Sequence, residues 1–251
     1  MEDPVVQIEQ RGEALRLRLN RPRAFNALNS KMIASLSEAL DRAVREQPRL
    51  LIYTGSGRFF CFGVDFQHMK GEDIPSMVQS LLPEFQNVIR TLHVFPAPTI
   101  CILNGHAAGA GLDLALAADF RIAVPGIKLS EAFVRWGLVP DGGGSLLLPR
   151  LVGLSRARRM ALTGEAVPSE TALDWGLIDE IVPEPELNHC IARWTETLSS
   201  LPREAYLSTR RLLNHHGGVD LDQALTEEAV TQKERLQSQE FRKILDTGGR
   251  P

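Results

Sequence analysis

Thr99-Ile100-Cys101-Ile102-Leu103, followed at once by Asn104-Gly105-His106-Ala107-Ala108-Gly109-Ala110-Gly111-Leu112-Asp113-Leu114, decides how this chain is read. The first stretch is short, apolar and bounded by Pro98 and Asn104-Gly105, which fits a strand covered on both faces. The small residues that follow let a ligand approach the backbone, and a helix expected over 110–117 turns its first N–H groups toward whatever lies beyond. That makes an anion site by construction, and neither the GxxxxGK[ST] nor the GxGxxG spacing of a nucleotide loop is present. Taken alone, the segment could equally serve close packing of a helix on a strand.

Outward from this segment, strands and helices keep alternating. Leu15, Leu17 and Leu19 alternate with Arg16 and Arg18, a period-2 strand, and residues 5–8 are its expected hairpin partner. Asn29 or Ser30 can cap a helix whose inward positions are Met32, Ile33, Leu36, Leu40 and Val44. A strand over 50–53, a helix over 83–92, a strand over 120–124 and a helix near 155–162 complete the pattern. Short buried strands separated by helices imply right-handed parallel crossovers, hence an α/β fold. From residue 185 the reading is helical, over 186–198, 202–214 and 221–245, with breaks at Pro202 and Gly217-Gly218. The chain is therefore divided into a core over 1–184 and a helical region over 185–251.

Composition narrows the partners. The 251 residues are 43% hydrophobic and 24% charged with a formal net charge of -3, a chain that can bury one large core and has no general attraction to nucleic acid or anionic membrane. Residues 91–112 hold no Asp, Glu, Lys or Arg, but Pro96, Pro98, Gly105, Gly109 and Gly111 interrupt them, so no spanning helix is expected. After Met1-Glu2-Asp3-Pro4 no basic stretch leads into an apolar one, so no secretory leader is expected, and Cys61, Cys101 and Cys190, scattered and odd in number, suggest neither a disulfide framework nor a zinc site. A cytoplasmic protein with a small-molecule partner is expected.

Two more loops carry chemistry. Phe59-Phe60-Cys61-Phe62-Gly63-Val64-Asp65-Phe66 again places a glycine where backbone can face a ligand, and Gly137-Leu138-Val139-Pro140-Asp141-Gly142-Gly143-Gly144 sets an acid in a turn before a helix. Backbone-rich loops with the acids Asp113 and Asp141 suit stabilisation of an oxyanion while a proton moves. Asp141 has a simpler reading as a turn residue, Pro-Asp-Gly being ordinary turn chemistry. His106 is read as packed or backbone-bonded.

These motifs resemble, in order and over residues 5–245, those of the crotonase superfamily of enoyl-CoA hydratases and isomerases: Asn20-Arg21-Pro22 with Asn26-Ala27-Leu28, Cys61 to Asp65, Asn104-Gly105 with Gly109-Ala110-Gly111, Gly137 to Pro140, and Leu162-Thr163-Gly164 with Trp175-Gly176-Leu177. The resemblance implies an α/β spiral of ββα turns with a helical C-terminal trimerisation region, assembled as a homotrimer or as a hexamer built from two trimers. It also implies an acyl thioester whose carbonyl oxygen meets two backbone amides, by position those of Val64 and Ala110. Substrate contacts fall by the same resemblance on Arg21, Arg23, Phe62, Gly63, Asp65, Gly109, Phe133 and Trp136, and no metal or redox cofactor is expected. CoA, or the phosphopantetheine of a carrier protein, enters only as part of the substrate.

Departures from the family pattern set the subclass. Its hydratases hold water between two glutamates, and here those positions are Asp113 and Phe133. An aromatic ring cannot activate water. Asp141 instead stands where members that move double bonds keep their catalytic acid, with Phe133, Trp136, Leu138 and Val139 expected as an apolar wall that raises its basicity. The expected activity is 3-enoyl to 2-enoyl thioester isomerisation with Asp141 as acid and base. Hydration, dehydration or decarboxylation on the same fold, and a non-catalytic binding protein, are the alternatives. Gln67 stands where the family often carries lysine, and the string Cys61 to Gln67 is similar to that of polyketide-pathway members acting on carrier-bound acyl groups.

Overall fold

A computed structural model describes residues 3–69, 74–215 and 220–246. The Gly217-Gly218 break lies outside them. Strands β1 (Val6–Arg11) and β2 (Ala14–Leu19) form the expected hairpin, with Val6 opposite Leu19. Three parallel strands, β3 (Leu50–Gly55), β5 (Thr99–Leu103) and β7 (Phe120–Ala123), and the short β10 (Glu180–Ile181) extend it into a sheet of order β1-β2-β3-β5-β7-β10. A second sheet, β4-β6-β8-β9, is built from three-residue strands: β4 (Phe59–Cys61), β6 (His106–Ala108), β8 (Lys128–Ser130) and β9 (Ala166–Pro168). Each turn of chain thus lays a strand in the first sheet, bends into the second, and returns by a helix. The bend is tight enough that a methyl on Gly105 would overlap the Arg58 carbonyl oxygen.

Helix α1 (Ser30–Glu46) is capped by Asn29, whose side chain accepts from the Met32 amide at 2.9 Å. It buries Met32, Ile33, Leu36, Ala39, Leu40 and Ala43, whereas Val44, expected inward, is exposed. The short α2 (Phe66–Met69) precedes α3 (Ile74–His93), which starts nine residues before the expected helix and carries Pro83 inside it. The missing Pro83 hydrogen bond is outweighed by a buried stripe, Val78, Leu82, Phe85, Val88, Ile89 and Leu92, that runs through the proline on one face. Helix α4 (Ala110–Leu116) follows the glycine loop and is buried along its whole length. Next come α5 (Gly144–Val152), α6 (Leu154–Thr163) and α7 (Ser169–Asp174).

Of the C-terminal helices, α8 (Leu187–Ser199) and α9 (Arg203–His215) cover the outer face of the first sheet, where Cys190, Leu198 and Tyr206 pack on Leu50, Ile52, Ile100, Ile102 and Ile122. Both faces of the parallel strands are therefore buried, as their unbroken apolar sequence requires. The helix expected over 221–245 is two helices, α10 (Leu221–Leu236) and α11 (Gln239–Asp246). Ser238 breaks it by accepting the Phe241 amide at 3.1 Å, which turns Phe241 into the core. Helix α10 packs back on α3 and α5 of its own chain. Among the described residues no helix is long and apolar enough to cross a membrane.

Candidate active site

The loop after β4 and the turn into α4 present main-chain amides for a shared structural reason. Leu28 pairs with both neighbours of Val64, donating to the Gly63 carbonyl at 2.7 Å and accepting from the Asp65 amide at 2.9 Å. In such a parallel bridge the middle residue's own N–H points the other way. Ala110 is the first residue of α4, where no intrahelical acceptor exists for its N–H. Among the described residues neither amide has a hydrogen-bond partner. Gly63 (φ +86°) and Gly109 (φ +52°) make the two bends, and a methyl on Gly63 would lie 2.7 Å from the Ala108 oxygen and 3.6 Å from the Ala110 nitrogen. The two stretches of main chain are therefore in direct contact.

Val64 and Ala110 line one cavity of ≈ 60 Å³ together with Asp141. Its remaining wall is apolar apart from Gln232: Leu28, Ile33, Phe66, Val78, Leu81, Leu82, Phe85, Leu138 and Leu236. Of the four residues expected to wall in Asp141, Leu138 does so. Phe133 instead lies under the oxyanion turn, its ring 3.6 Å from where a Gly109 methyl would be, and Trp136 stacks on Phe66 with centroids 4.3 Å apart. Four of the apolar wall residues, Val78, Leu81, Leu82 and Phe85, come from α3, the first three from its part before Pro83 that the expected helix over 83–92 left out.

Asp141 is 6% exposed. Its Oδ2 accepts from Gln232 Nε2 at 2.9 Å, and among the described residues its buried Oδ1 has no partner. Burial pushes its pKa up to about 7, Gln232 pulls against that shift, and the like charge of Glu228 adds to it. Asp113, the other expected acid, is fully buried behind the loop and accepts from the Gly142 amide at 3.1 Å. Glu131 was not anticipated. It is 1% exposed beside Asp113, and burial raises both carboxyls well above the usual range, the Glu131 charge raising Asp113 further while the contact with Asp113 pulls Glu131 down. Glu228 of α10 accepts from the Gly143 amide at 2.7 Å, the Ser145 amide at 3.1 Å and the Ser145 hydroxyl. Gln86 donates to the Asp141 carbonyl at 3.1 Å and to the Leu225 carbonyl at 2.9 Å, tying α3, the loop and α10 together.

The expected substrate contacts divide. Arg21 is used internally, donating to the Ala27 carbonyl at 2.7 Å and pairing with Asp65 at 3.0 Å, so it braces the Val64 loop. Arg23 is exposed, and Phe62, 50% exposed, packs at its edge on Phe25 and Phe59. His106 accepts the Lys128 amide at 2.9 Å through Nδ1, a structural bond. Cys61 is buried, donates to the Asn26 carbonyl at 3.2 Å, and its thiol is pushed up to about 12 by burial.

Stacked ββα turns that bring two unpaired amides and a buried carboxyl to one apolar cavity define a crotonase fold. The family described as Enoyl-CoA hydratase/isomerase matches residues 9–247, and the chain belongs to it. It is 39% identical over 226 residues to a protein of Rhodobacter capsulatus named probable enoyl-CoA hydratase, covering 89% of this chain and 86% of that one. It is 35% identical over 230 residues to the 1,2-epoxyphenylacetyl-CoA isomerase of Escherichia coli, covering 90% and 88%. A crystal structure of enoyl-CoA hydratase from Bacillus halodurans superposes with a TM-score of 0.90 at 27% identity, over 97% of this chain and 99% of that one.

Proposed function

We propose that this member of the family is an acyl-thioester double-bond isomerase that converts a 3-enoyl to a 2-enoyl thioester. The observation that carries the reading is Asp141, its Oδ1 buried and without a partner among the described residues, lining one apolar cavity with Val64 and Ala110, whose amides are free. With the thioester oxygen held by those amides, the Asp141 carboxylate takes a proton from C2 and the C–H electrons move into a dienolate. The same carboxyl then returns the proton to C4 as the C2–C3 double bond forms, so no atom is gained or lost. Each amide contributes where charge develops, worth roughly a hundred- to a thousandfold in rate. Asp113 holds the loop through Gly142 in this scheme and does not touch the acyl chain.

Hydration would need two acids facing one water. Among the described lining residues Asp141 is the one carboxyl, and Phe133 occupies the second glutamate position. The substrate is carried as an acyl-CoA or on a carrier-protein phosphopantetheine, with Arg23 and Phe62 as outer contacts, and the helical region over 185–251 supports trimers or hexamers. Incubating 3-hexenoyl-CoA and 2-hexenoyl-CoA separately, with product masses followed, tests the activity. Isomerisation of the 3-enoyl thioester without gain of water is expected, and Asp141→Asn should slow it by roughly 10²- to 10⁴-fold. Addition of water to the 2-enoyl thioester as the dominant reaction would overturn the reading.

A further inference from the structure

Helix α10 reaches the site through a residue that no catalytic motif contains. Gln232, 2% exposed, lies against both Val139 and Asp141, and its amide can satisfy them in one orientation only. The Val139 N–H can only donate, so it must meet the carbonyl end, Oε1, which it does at 3.2 Å. The NH₂ end is then committed to Asp141 and donates to Oδ2 at 2.9 Å. A carboxyl proton on Oδ2 would oppose that N–H. Oδ2 must stay an acceptor in both protonation states, and any proton Asp141 gains sits on Oδ1.

We propose that Gln232 is a positioning residue that makes Oδ1 of Asp141 the single oxygen through which the proton travels between C2 and C4 of the acyl chain. This rests on the isomerase reading for its chemistry, although the hydrogen-bond logic holds for any proton transfer at Asp141. A 1,3-transfer by one carboxyl needs the oxygen that took the proton to give it back before exchange with water. Oδ1, buried and without a partner among the described residues, meets that requirement where the Gln232-bound oxygen does not. The other acids near Asp141 are Glu228 on the same helix as Gln232, Asp113 on α4, and Glu131 ahead of the 132–136 turn, all of like charge. Of these, Glu228 raises the Asp141 carboxyl as burial does, and Gln232 supplies the side-chain donor that pulls it down.

Gln232→Met keeps the length and packing of the side chain and removes both bonds. A hydrogen bond to a charged group has a strength equivalent to about one to two pH units of acidity. In Gln232→Met the acid limb of the kcat profile with 3-hexenoyl-CoA should therefore move up by about that much, with kcat at pH 7 down roughly five- to fiftyfold and KM little changed. Activity should return at high pH. Infrared difference titration of the Asp141 carboxyl band, identified by its loss in Asp141→Asn, should show the same upward displacement without any substrate. A fall in kcat that is equal at every pH, with the infrared midpoint unmoved, would overturn the proposal and leave Gln232 a packing residue. Should Gln232→Met not fold, Gln232→Asn, which is one methylene too short to span both partners, is read in the same way. If the infrared midpoint moves but the wild type does not isomerise 3-hexenoyl-CoA, the isomerase reading falls and the positioning of Asp141 stands.

Discussion

Asp141→Asn separates what this carboxyl costs the fold from what it does in the site. Its pKa rises from 3.8 to about 7 because the folded chain keeps it dry. At 1.36 kcal/mol per unit that rise corresponds to about 4 kcal/mol. The sign follows from proton counts: between about pH 4 and pH 7 the folded state holds the proton that the unfolded chain has released, so stability falls as pH rises through that window. Below it both states are protonated and nothing is lost; above it both are ionised and the whole penalty is present. Asparagine keeps the shape and an oxygen for Gln232 but has no charge to bury. Its own offset, about 1–3 kcal/mol for a buried NH₂ without a partner, does not depend on pH. The unfolding free energy of Asp141→Asn minus that of the wild type should therefore climb by about 4 kcal/mol from pH 4 to pH 8, whatever its starting value. Urea unfolding at half-unit pH steps and fixed protein concentration measures this, the concentration mattering because assembly shifts apparent stability. Taking the difference cancels acids that do not feel Asp141; Asp113 and Glu131, which its charge raises, add a smaller change of the same sign. Two parallel curves would refute the buried, desolvated Asp141.

Ala110→Pro removes one amide donor at the first position of a helix, where proline is tolerated, so kcat should fall roughly 10²- to 10³-fold with the fold retained by circular dichroism. Gly144→Ala would drive a methyl into Asp113 Oδ1 and within 3.1 Å of Glu131 Oε1, and this overpacking should cost about 1–3 kcal/mol in urea unfolding. Arg21→Ala, which strips the brace from Ala27 and Asp65, should lower both stability and kcat, whereas Arg23→Ala should raise KM for an acyl-CoA and leave the unfolding midpoint within error.

The fold was legible where one local pattern suffices. The alternation in β2, the unbroken apolar run of β5 and the Asn29 cap each reflect forces acting within a few residues. The second sheet was not, because three-residue strands are too short to show a period of two, and their pairing is set by the glycine bends that bring them together. In the site, the glycine loops marked only where backbone could face a ligand, and the family resemblance put Val64, Ala110 and Asp141 there; the structure brings the three to one cavity. Gln232 is 91 residues from Asp141 on a helix of ordinary composition, and nothing in its neighbourhood marks it. Glu131 carries no local mark in the sequence, and burial beside Asp113 is what distinguishes it. Arg21, placed at the substrate by resemblance, has internal partners that no local pattern announces, the Asp65 carboxylate and the Ala27 carbonyl.

The loop from Gly137 to Ser145 explains why so many acids are buried around Asp141. With Pro140 and three consecutive glycines it has little tendency to order itself. Its amides at Val139, Gly142, Gly143 and Ser145 all go to side-chain acceptors: Gln232, Asp113 and, for the last two, Glu228. Those side chains replace the water such a loop would otherwise need, and the dryness they permit is what lifts Asp141 toward neutrality. Glu228 therefore acts on Asp141 in two ways, by keeping solvent out and by like charge, both of which raise its pKa. Glu228→Gln removes the charge and one acceptor while keeping the volume. It should move the acid limb of the kcat profile below pH 7, opposite in direction to Gln232→Met. A limb that moves the same way in both variants would show that the loop responds to loosening in general, and that the separate roles assigned to the two residues on α10 are wrong.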